Sequence, residues 1–456
     1  MGTFASKVLV FLLMPFYTSV LSTAEFGTAD LISQTANLLI PLAAVGICDG
    51  IFRFTLDGGA DKKKILSTGM AIIFVGSLGI LGLAQLLRFF DALEDHVFLI
   101  IAYVVAANVH LAFANYVRAE GKNVMFAVQG IINTVLTIVL NVVFLLGFGM
   151  GSEGYVLSVV LADTCLCVIL FFWARLYKKI SVKAIDRGVA GDMLKFSIPY
   201  IPTTIMWLIT SVSDRYIVTY YKGVEENGLY AAAYKLPTMI SLVSGVFIEA
   251  WHFSAVKDAD EKERSSFFGL VYENFMGAMF MCGSLIIAFA KILTKLLLSD
   301  AYFSSWKYVP VLVIATVFST LVSFLGSVYF LKKKSAISML TAMAGAVTNI
   351  ILNFLLIPKW GAMGAAVATL ACYVLVYVIR AINTRKYVRF DLHSIRVVIN
   401  GVLLTAQTAL WFVDVKYIWI AQIVIPILLI AFNGKGIFMT FLKVFDKFFA
   451  KKSKKN

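Results

Sequence analysis

Fourteen apolar stretches, each about long enough to cross a bilayer, follow one another almost from Met1 to Asn433, and no gap between them has room for a folded domain. A spanning helix needs about 20 mostly apolar residues. The spans read at 3–21, 26–53, 65–87, 97–117, 122–147, 154–174, 192–219, 228–251, 265–290, 309–331, 336–357, 362–382, 396–413 and 417–433. Lipid offers no partner for backbone N–H and C=O groups, so each crossing must satisfy its own hydrogen bonds, and segments this long are not barrel strands. The expected fold class is an all-α polytopic membrane protein. With 60% hydrophobic and 14% charged residues, the chain stands far from the roughly 25% charged of soluble proteins.

Positive loops stay cytoplasmic. The connections after even-numbered helices, with the tail, hold 28 Lys and Arg, whereas the opposite loops hold seven: Arg88, Lys222, Lys291, Lys295, Lys307, Lys359 and Lys416. Both termini are therefore expected in the cytoplasm. The same tally accounts for the net charge of +14, because these cations sit beside anionic headgroups and no loop offers a nucleic-acid-binding fold. Residues 8–21 are not expected to be a cleaved secretion signal: their charged leader is Lys7 alone, and removing them spoils the charge tally. Cys48, Cys165, Cys167, Cys282 and Cys372 lie in apolar spans and suggest neither disulfides nor a metal site.

Residues 116–154 resemble residues 329–364: Tyr116 matches Tyr329, an Ile-x-Leu-Asn ends at Asn141 and again at Asn353, and Gly154 matches Gly364. The offset spans six helices, so the copies keep one orientation and their axis runs along the membrane normal. This divides the chain into a six-helix lobe at 1–180, a second at 190–385, an accessory pair of helices at 395–434 and a basic cytoplasmic tail at 435–456.

Ionisable residues within a bilayer cost roughly 2.5 to 3.5 kcal/mol each on insertion scales and usually face a cavity or a partner. Helices 1, 2, 7 and 8 hold nine of them: Lys7, Asp30, Asp49, Arg53, Lys195, Asp214, Arg215, Lys235 and Glu249. The other ten hold Asp163 and Glu273. The same four helices carry Pro15, Pro41, Pro199, Pro202 and Pro237, and a proline inside a spanning helix bends it where neighbours or water must repair the lost hydrogen bond. Charge and bends together imply a water-filled cavity between the lobes, its walls flexing at the prolines. Other readings stand beside this one. Lys7, Lys195 and Arg53 lie near enough to the inner surface to snorkel, Asp49 and Arg53 are spaced to pair, and Asp214 and Arg215 can cap a helix end. Asp163 has no charged neighbour in sequence, and Glu249 beside His252 either reports protonation or forms a loop-edge pair. His96, His110 and His393 lack metal-ligand spacing, GxGxxG and Walker patterns are absent, and no catalytic constellation or large outer loop is present. The chain reads as a non-enzyme without a resident cofactor.

The opening GTFASKVLVFLLMPFYTSVLSTAEFGTADLISQTANLLIPLAAVGICDGIFRF resembles the first two helices of the Wzx-type polysaccharide-biosynthesis flippases, with a small-residue–Lys start, an LLxPFYTxxLSxxEFG turn and Arg53-Phe54 closing helix 2. SDRYIVTYYKG at 213–223, NGLYAAAYKL at 227–236 and LNFLLIPKWGAMGAAVAT at 352–369 are similar to later parts of that family. Ala-Trp-His-Phe at 250–253 departs from it where a proline is expected. The resemblance implies the multidrug/oligosaccharidyl-lipid/polysaccharide (MOP) exporter superfamily and a bacterial inner-membrane location. It also implies a polyprenyl-diphosphate oligosaccharide moved to the outer leaflet, with the polymerase and glycosyltransferases of the same pathway as partners. In that setting Lys7, Arg53, Arg215 and Lys235 are the expected substrate cations. Asp30, Asp49, Asp163, Asp214 and Glu249 are the candidate cavity acids, of which Asp30, Asp163 and Glu249 are the candidates for coupling to H+ or Na+. An ion-coupled multidrug antiporter of the same superfamily is the alternative, disfavoured by four cavity cations.

Overall fold

The computed structural model describes residues 12–57, 61–255, 261–332, 334–413 and 417–434, and the regular structure among them is helical. Nine of the described helices are long and apolar enough to span a membrane, ten if one bent pair counts as a single crossing. The other four of the fourteen expected crossings fall short for separate reasons. The first lies largely outside the described residues, and the seventh is too polar, with Ser211, Ser213, Asp214 and Arg215 in its middle. The last two are apolar but short.

The described chain packs as two compact units. The first comprises residues up to Ala231 together with Leu297–Tyr302 and Asn353–Gly361. It holds α1 (Met14–Val20), α2 (Thr23–Ala44), α3 (Ile47–Asp57), α4 (Lys62–Leu83), α5 (Val97–Ala119), α6 (Asn123–Asn141), α7 (Gly151–Trp173), α8 (Arg187–Ser197) and α9 (Ile201–Lys222). Ile32, Val97, Ile100, Val104 and Val156 form one buried apolar cluster, and Ile47, Ile51, Phe113, Leu170 and Met193 form a second. The bent pair is α2 and α3, expected from sequence as one continuous helix and found broken by 51°. Pro41 has no N–H to continue the ladder, and Val45 and Gly46 follow in the left-handed region at φ 51° and 66°. The link between the two sequence halves is strapped to α4: Lys64 Nζ lies 2.8 Å from Asp186, Ser67 Oγ accepts from Ser181 N–H, and Thr68 Oγ1 accepts from Asp186 N–H. The Lys64 ammonium, helped by the N–H groups of Val189 and Gly188, holds the Asp186 carboxyl below the usual carboxylate range.

The second unit contains most of α10 (Val224–Ala255), α11 (Glu261–Ala288), α12 (Ala290–Leu297), α13 (Val309–Leu331), most of α14 (Ser335–Trp360), α15 (Ala362–Thr384), α16 (Ser394–Leu410) and α17 (Ile418–Gly434). Its centre is α13, the most thoroughly buried spanning helix of those described. At 250–253, where the sequence departs from the family pattern, Trp251 anchors the inner part of α10. Its indole N–H donates to Ser327 Oγ at 3.0 Å, and its ring stacks on Phe324 and meets Phe268 edge-on. Trp251→Ala is expected to lower stability by about 3–5 kcal/mol, the usual cost of emptying a buried aromatic site, measured as thermal unfolding of the purified protein in detergent.

The helices also keep the spacing of the sequence repeat. α5 and α13 are both 23 residues long, as are α7 and α15. From Val97 to Val309 and from Asn123 to Ser335 the offset is 212 residues, and from Gly151 to Ala362 it is 211.

Candidate functional site

The family-like turn after α1 is a set of locks within the first unit. Ser22 and Glu25 form a reciprocal capping box at the start of α2. Tyr302, whose OH lies within donating distance of the carbonyls of both Leu21 and Ser22 (2.9 and 2.7 Å), seals the same turn, and Phe26 packs edge-on against its ring. Ser299 binds Thr18 twice: its N–H donates to Thr18 Oγ1 and its hydroxyl to Thr18 O. Gly27 then lets α2 cross the start of α10 at backbone contact. A Cβ on Gly27 would lie 2.1 Å from Val224 O, and one on Gly228 would lie 1.9 Å from Thr23 O. Asn227 Nδ2 donates across the same crossing to Gly27 O at 3.0 Å.

Directly along α2 from this crossing lies the buried charge network. Asp30 accepts from Arg215 Nε at 3.1 Å, both side chains being more than nine-tenths buried. The Arg215 guanidinium also donates to Ser211 O and lies 5.5 Å from the centre of the Tyr230 ring. The next residue, Asp214, is fully buried and accepts from Tyr230 OH at 2.7 Å and from Asn353 Nδ2 at 2.6 Å. One turn further on, the Thr35 and Tyr216 hydroxyls meet at 2.6 Å. The family-like segments 213–223, 227–236 and 352–369 thus meet the opening motif at one place, through residues up to 200 positions apart. Buried carboxylates so held need both the opposite charge and the hydrogen bonds to offset their desolvation.

The remaining expected site residues are dispersed. Lys7 lies outside the described residues, and Glu249 sits on α10 with its side chain outside them. Asp49 is exposed in the first turn of α3, and Arg53 is exposed and pairs with Asp57 at 3.4 Å. Lys235 is half-buried, two residues before the buried Pro237 inside α10. Pro15 lies in the first turn of α1, Pro41 precedes the α2 break, Pro199 lies in the 3-10 turn that joins α8 to α9, and Pro202 is in the first turn of α9.

Asp163 has partners that sequence proximity does not show. His110 Nδ1 lies 2.8 Å from its Oδ1, Asn133 Nδ2 donates to the same oxygen at 3.1 Å, and His110 Nε2 lies 2.7 Å from Gln129 Oε1. With oxygen on both sides the imidazole must donate from both nitrogens and is then a cation; rotation of the Gln129 amide lets Nε2 accept, so one proton sets the pattern. A second unforeseen charge is Arg380, counted from sequence among the loop cations. It is buried inside α15, where Nη1 donates to Val322 O and Nε to Thr341 Oγ1. No group of three or more His, Cys, Asp or Glu among the described residues could hold a metal ion.

The fold is similar to that of a lipid II flippase MurJ in an inward closed conformation (TM-score 0.70, 15% identity, covering 97% of this chain and 98% of that one). It is also similar to an inward-facing multidrug resistance MATE family transporter of the MOP superfamily (0.66, 13%, 84% and 95%), and to a MOP superfamily transporter from Pyrococcus furiosus described by the reverse polarity of its binding pocket (0.53, 12%, 85% and 93%). At these identities the likeness establishes the fold. The chain belongs to the polysaccharide biosynthesis protein family, whose model matches residues 1–252. Comparison with curated proteins gives no match.

Proposed function

We propose that this protein is a flippase that carries a polyprenyl-diphosphate-linked oligosaccharide from the cytoplasmic to the outer leaflet of a bacterial inner membrane, both termini being cytoplasmic. The observation that carries the proposal is the buried Asp30–Arg215 pair on a closed α2–α9–α10 crossing, in a chain of the polysaccharide biosynthesis family. A diphosphate cannot enter a low-dielectric slab without compensating cations. Arg53 is exposed and its pair with Asp57 is of the solvent-facing kind worth at most about 1 kcal/mol, so it exchanges readily for a phosphate. Arg215 is held by Asp30 and becomes available only when the pair parts. Weakly held cations at the inner level and a latched one at the outer level fit alternating access, with Lys7 and Lys235 completing the path. The lipid tail stays in the membrane throughout.

The direct test reconstitutes the protein into liposomes with a fluorescent polyprenyl-diphosphate oligosaccharide. Leaflet exchange is expected to exceed that of empty liposomes and to be lost in folded Arg53→Ala and Lys235→Ala. No exchange with any of several such lipids contradicts the proposal. Coupling is assigned to the Asp163–His110 pair, whose hydrogen-bond pattern with Gln129 turns on one proton. Asp163→Asn is expected to abolish the part of exchange that responds to an imposed pH gradient while leaving gradient-independent exchange in place, read in the same liposomes.

A further inference from the structure

The link that follows α7 is pinned to α4 on both sides of a short tip. On one side Ser67 Oγ accepts from Ser181 N–H at 2.9 Å and donates to Lys179 O at 3.3 Å. On the other, Thr68 Oγ1 accepts from Asp186 N–H at 3.0 Å, and Lys64 holds the Asp186 carboxylate. Between the pins lies a 3-10 turn, Val182–Ala184, followed by Ile185. Val182 is 84% exposed and Ile185 44%. The pins keep the turn from folding these two side chains inward, so their burial must come from outside the fold.

A cationic frame surrounds the tip. Residues 175–187 hold Arg175, Lys178, Lys179, Lys183 and Arg187 against a single acid, Asp186. The nearby carboxylates are engaged, Asp186 by Lys64, and Glu120 by Lys122 at 2.7 Å and Lys179 at 3.8 Å. Lys178, Lys183 and Arg187 are exposed and have no carboxylate partner among the described residues. The end of α7 gives the level of this frame in a membrane. Phe172, Trp173 and Tyr177 are exposed there, and Lys178 Nζ lies 5.8 Å from the centre of the Tyr177 ring. Exposed tryptophan and tyrosine mark the membrane–water boundary, and the Lys and Arg tally puts this end of α7 on the cytoplasmic side, whose leaflet carries anionic lipid. An apolar tip framed by cations matches a layer of anionic headgroups with hydrocarbon beneath it.

We propose that this tip docks into the inner leaflet, with Val182 and Ile185 below the headgroups and Lys178, Lys183 and Arg187 on the phosphates of anionic phospholipids. The contact does not depend on which cargo the protein moves. The test uses full-length protein without its native cysteines, carrying one environment-sensitive NBD fluorophore. The probe sits at Val182→Cys or, for comparison, at Gly191→Cys, an exposed position of α8 with open space around it. Each protein is reconstituted into vesicles of phosphatidylcholine, with or without an equal part of phosphatidylglycerol, that contain a doxyl-labelled quencher lipid. With phosphatidylglycerol present, the probe at 182 is expected to shift its emission to the blue and to be quenched. The probe at 191 is expected to do neither. The quenching at 182 is expected to be lost in Lys178→Gln/Lys183→Gln/Arg187→Gln, whose three positions are exposed, and in vesicles of phosphatidylcholine alone. Quenching at 182 no greater than at 191 overturns the docking and turns the search toward a cytoplasmic protein as the partner of the tip. Quenching that survives both the triple substitution and the removal of phosphatidylglycerol overturns the phosphate contacts.

Discussion

Arg215→Ala is expected to cost about 3–5 kcal/mol of stability, because it strands Asp30 as a buried charge without its partner. The same substitution is expected to abolish leaflet exchange. Thermal unfolding in detergent measures the first effect and the liposome assay the second. Loss of activity in an unstable variant says little, so the informative protein is Asp30→Asn/Arg215→Gln. Neutralising both partners removes the stranded charge and is expected to bring stability back to within about 1–2 kcal/mol of the wild type. Exchange is expected to stay low, because the guanidinium that should hold the diphosphate at the outer level is gone. Full exchange in this folded double variant would make the pair a structural strut and remove Arg215 from the substrate path.

Gly228→Ala is expected to have the second large effect. Its Cβ would sit 1.9 Å from the backbone oxygen of Thr23, and a backbone atom on a packed helix cannot swing aside as a side chain does. The α2–α10 crossing must widen instead, at a cost of about 1–3 kcal/mol. Because Asn227, Asp30, Arg215, Thr35 and Tyr216 hold the same junction, the widening is expected to weaken the whole lock and raise labelling of a Thr35→Cys reporter by a membrane-impermeant maleimide. Gly245→Ala on the same helix has open space around its Cβ and is expected to leave labelling unchanged, with a gain of about 0.4–1 kcal/mol from the stiffer unfolded chain. Unchanged labelling in Gly228→Ala would mean that the crossing relaxes without opening.

Much of the architecture was open to inspection in the sequence because its signals are local. Apolar spans of about 20 residues announce a helical membrane protein whatever their packing. Pro41 announces a disturbance in α2. The break itself was not legible, since Val45 is a residue that normally avoids the left-handed region it occupies here. Four of the fourteen expected crossings are not matched by the described helices: the first lies largely outside the described residues, α9 carries charge in its middle, and α16 and α17 are short.

The candidate site was half legible. Charge concentrated on the expected first helix pair of each half is a property of composition, and it drew attention to Asp30, Asp214 and Arg215. Their pairing is a property of packing between segments far apart in sequence: Asp30 and Arg215 are 185 residues apart, and Asp214 and Asn353 are 139 apart. Arg53 was expected to pair with Asp49, four residues back, and instead meets Asp57, four residues on, because that spacing serves equally in both directions along a helix. His110 was set aside for want of metal-ligand spacing because its partners lie on other helices, and Arg380 was misplaced because it falls in the last turns of α15, where a cation usually reaches the surface.

The central claim is that cargo crosses by parting the closed end of the first unit. Thr18 and Ser299 hold that end together through two hydrogen bonds. The most direct measurement is leaflet exchange of the fluorescent lipid-linked oligosaccharide by Thr18→Cys/Ser299→Cys in a background without the native cysteines, before and after bridging with a short bifunctional thiol reagent and again after reduction. The account predicts exchange in the unbridged protein, loss on bridging and recovery on reduction. Exchange that continues at the unbridged rate in fully bridged protein would contradict it.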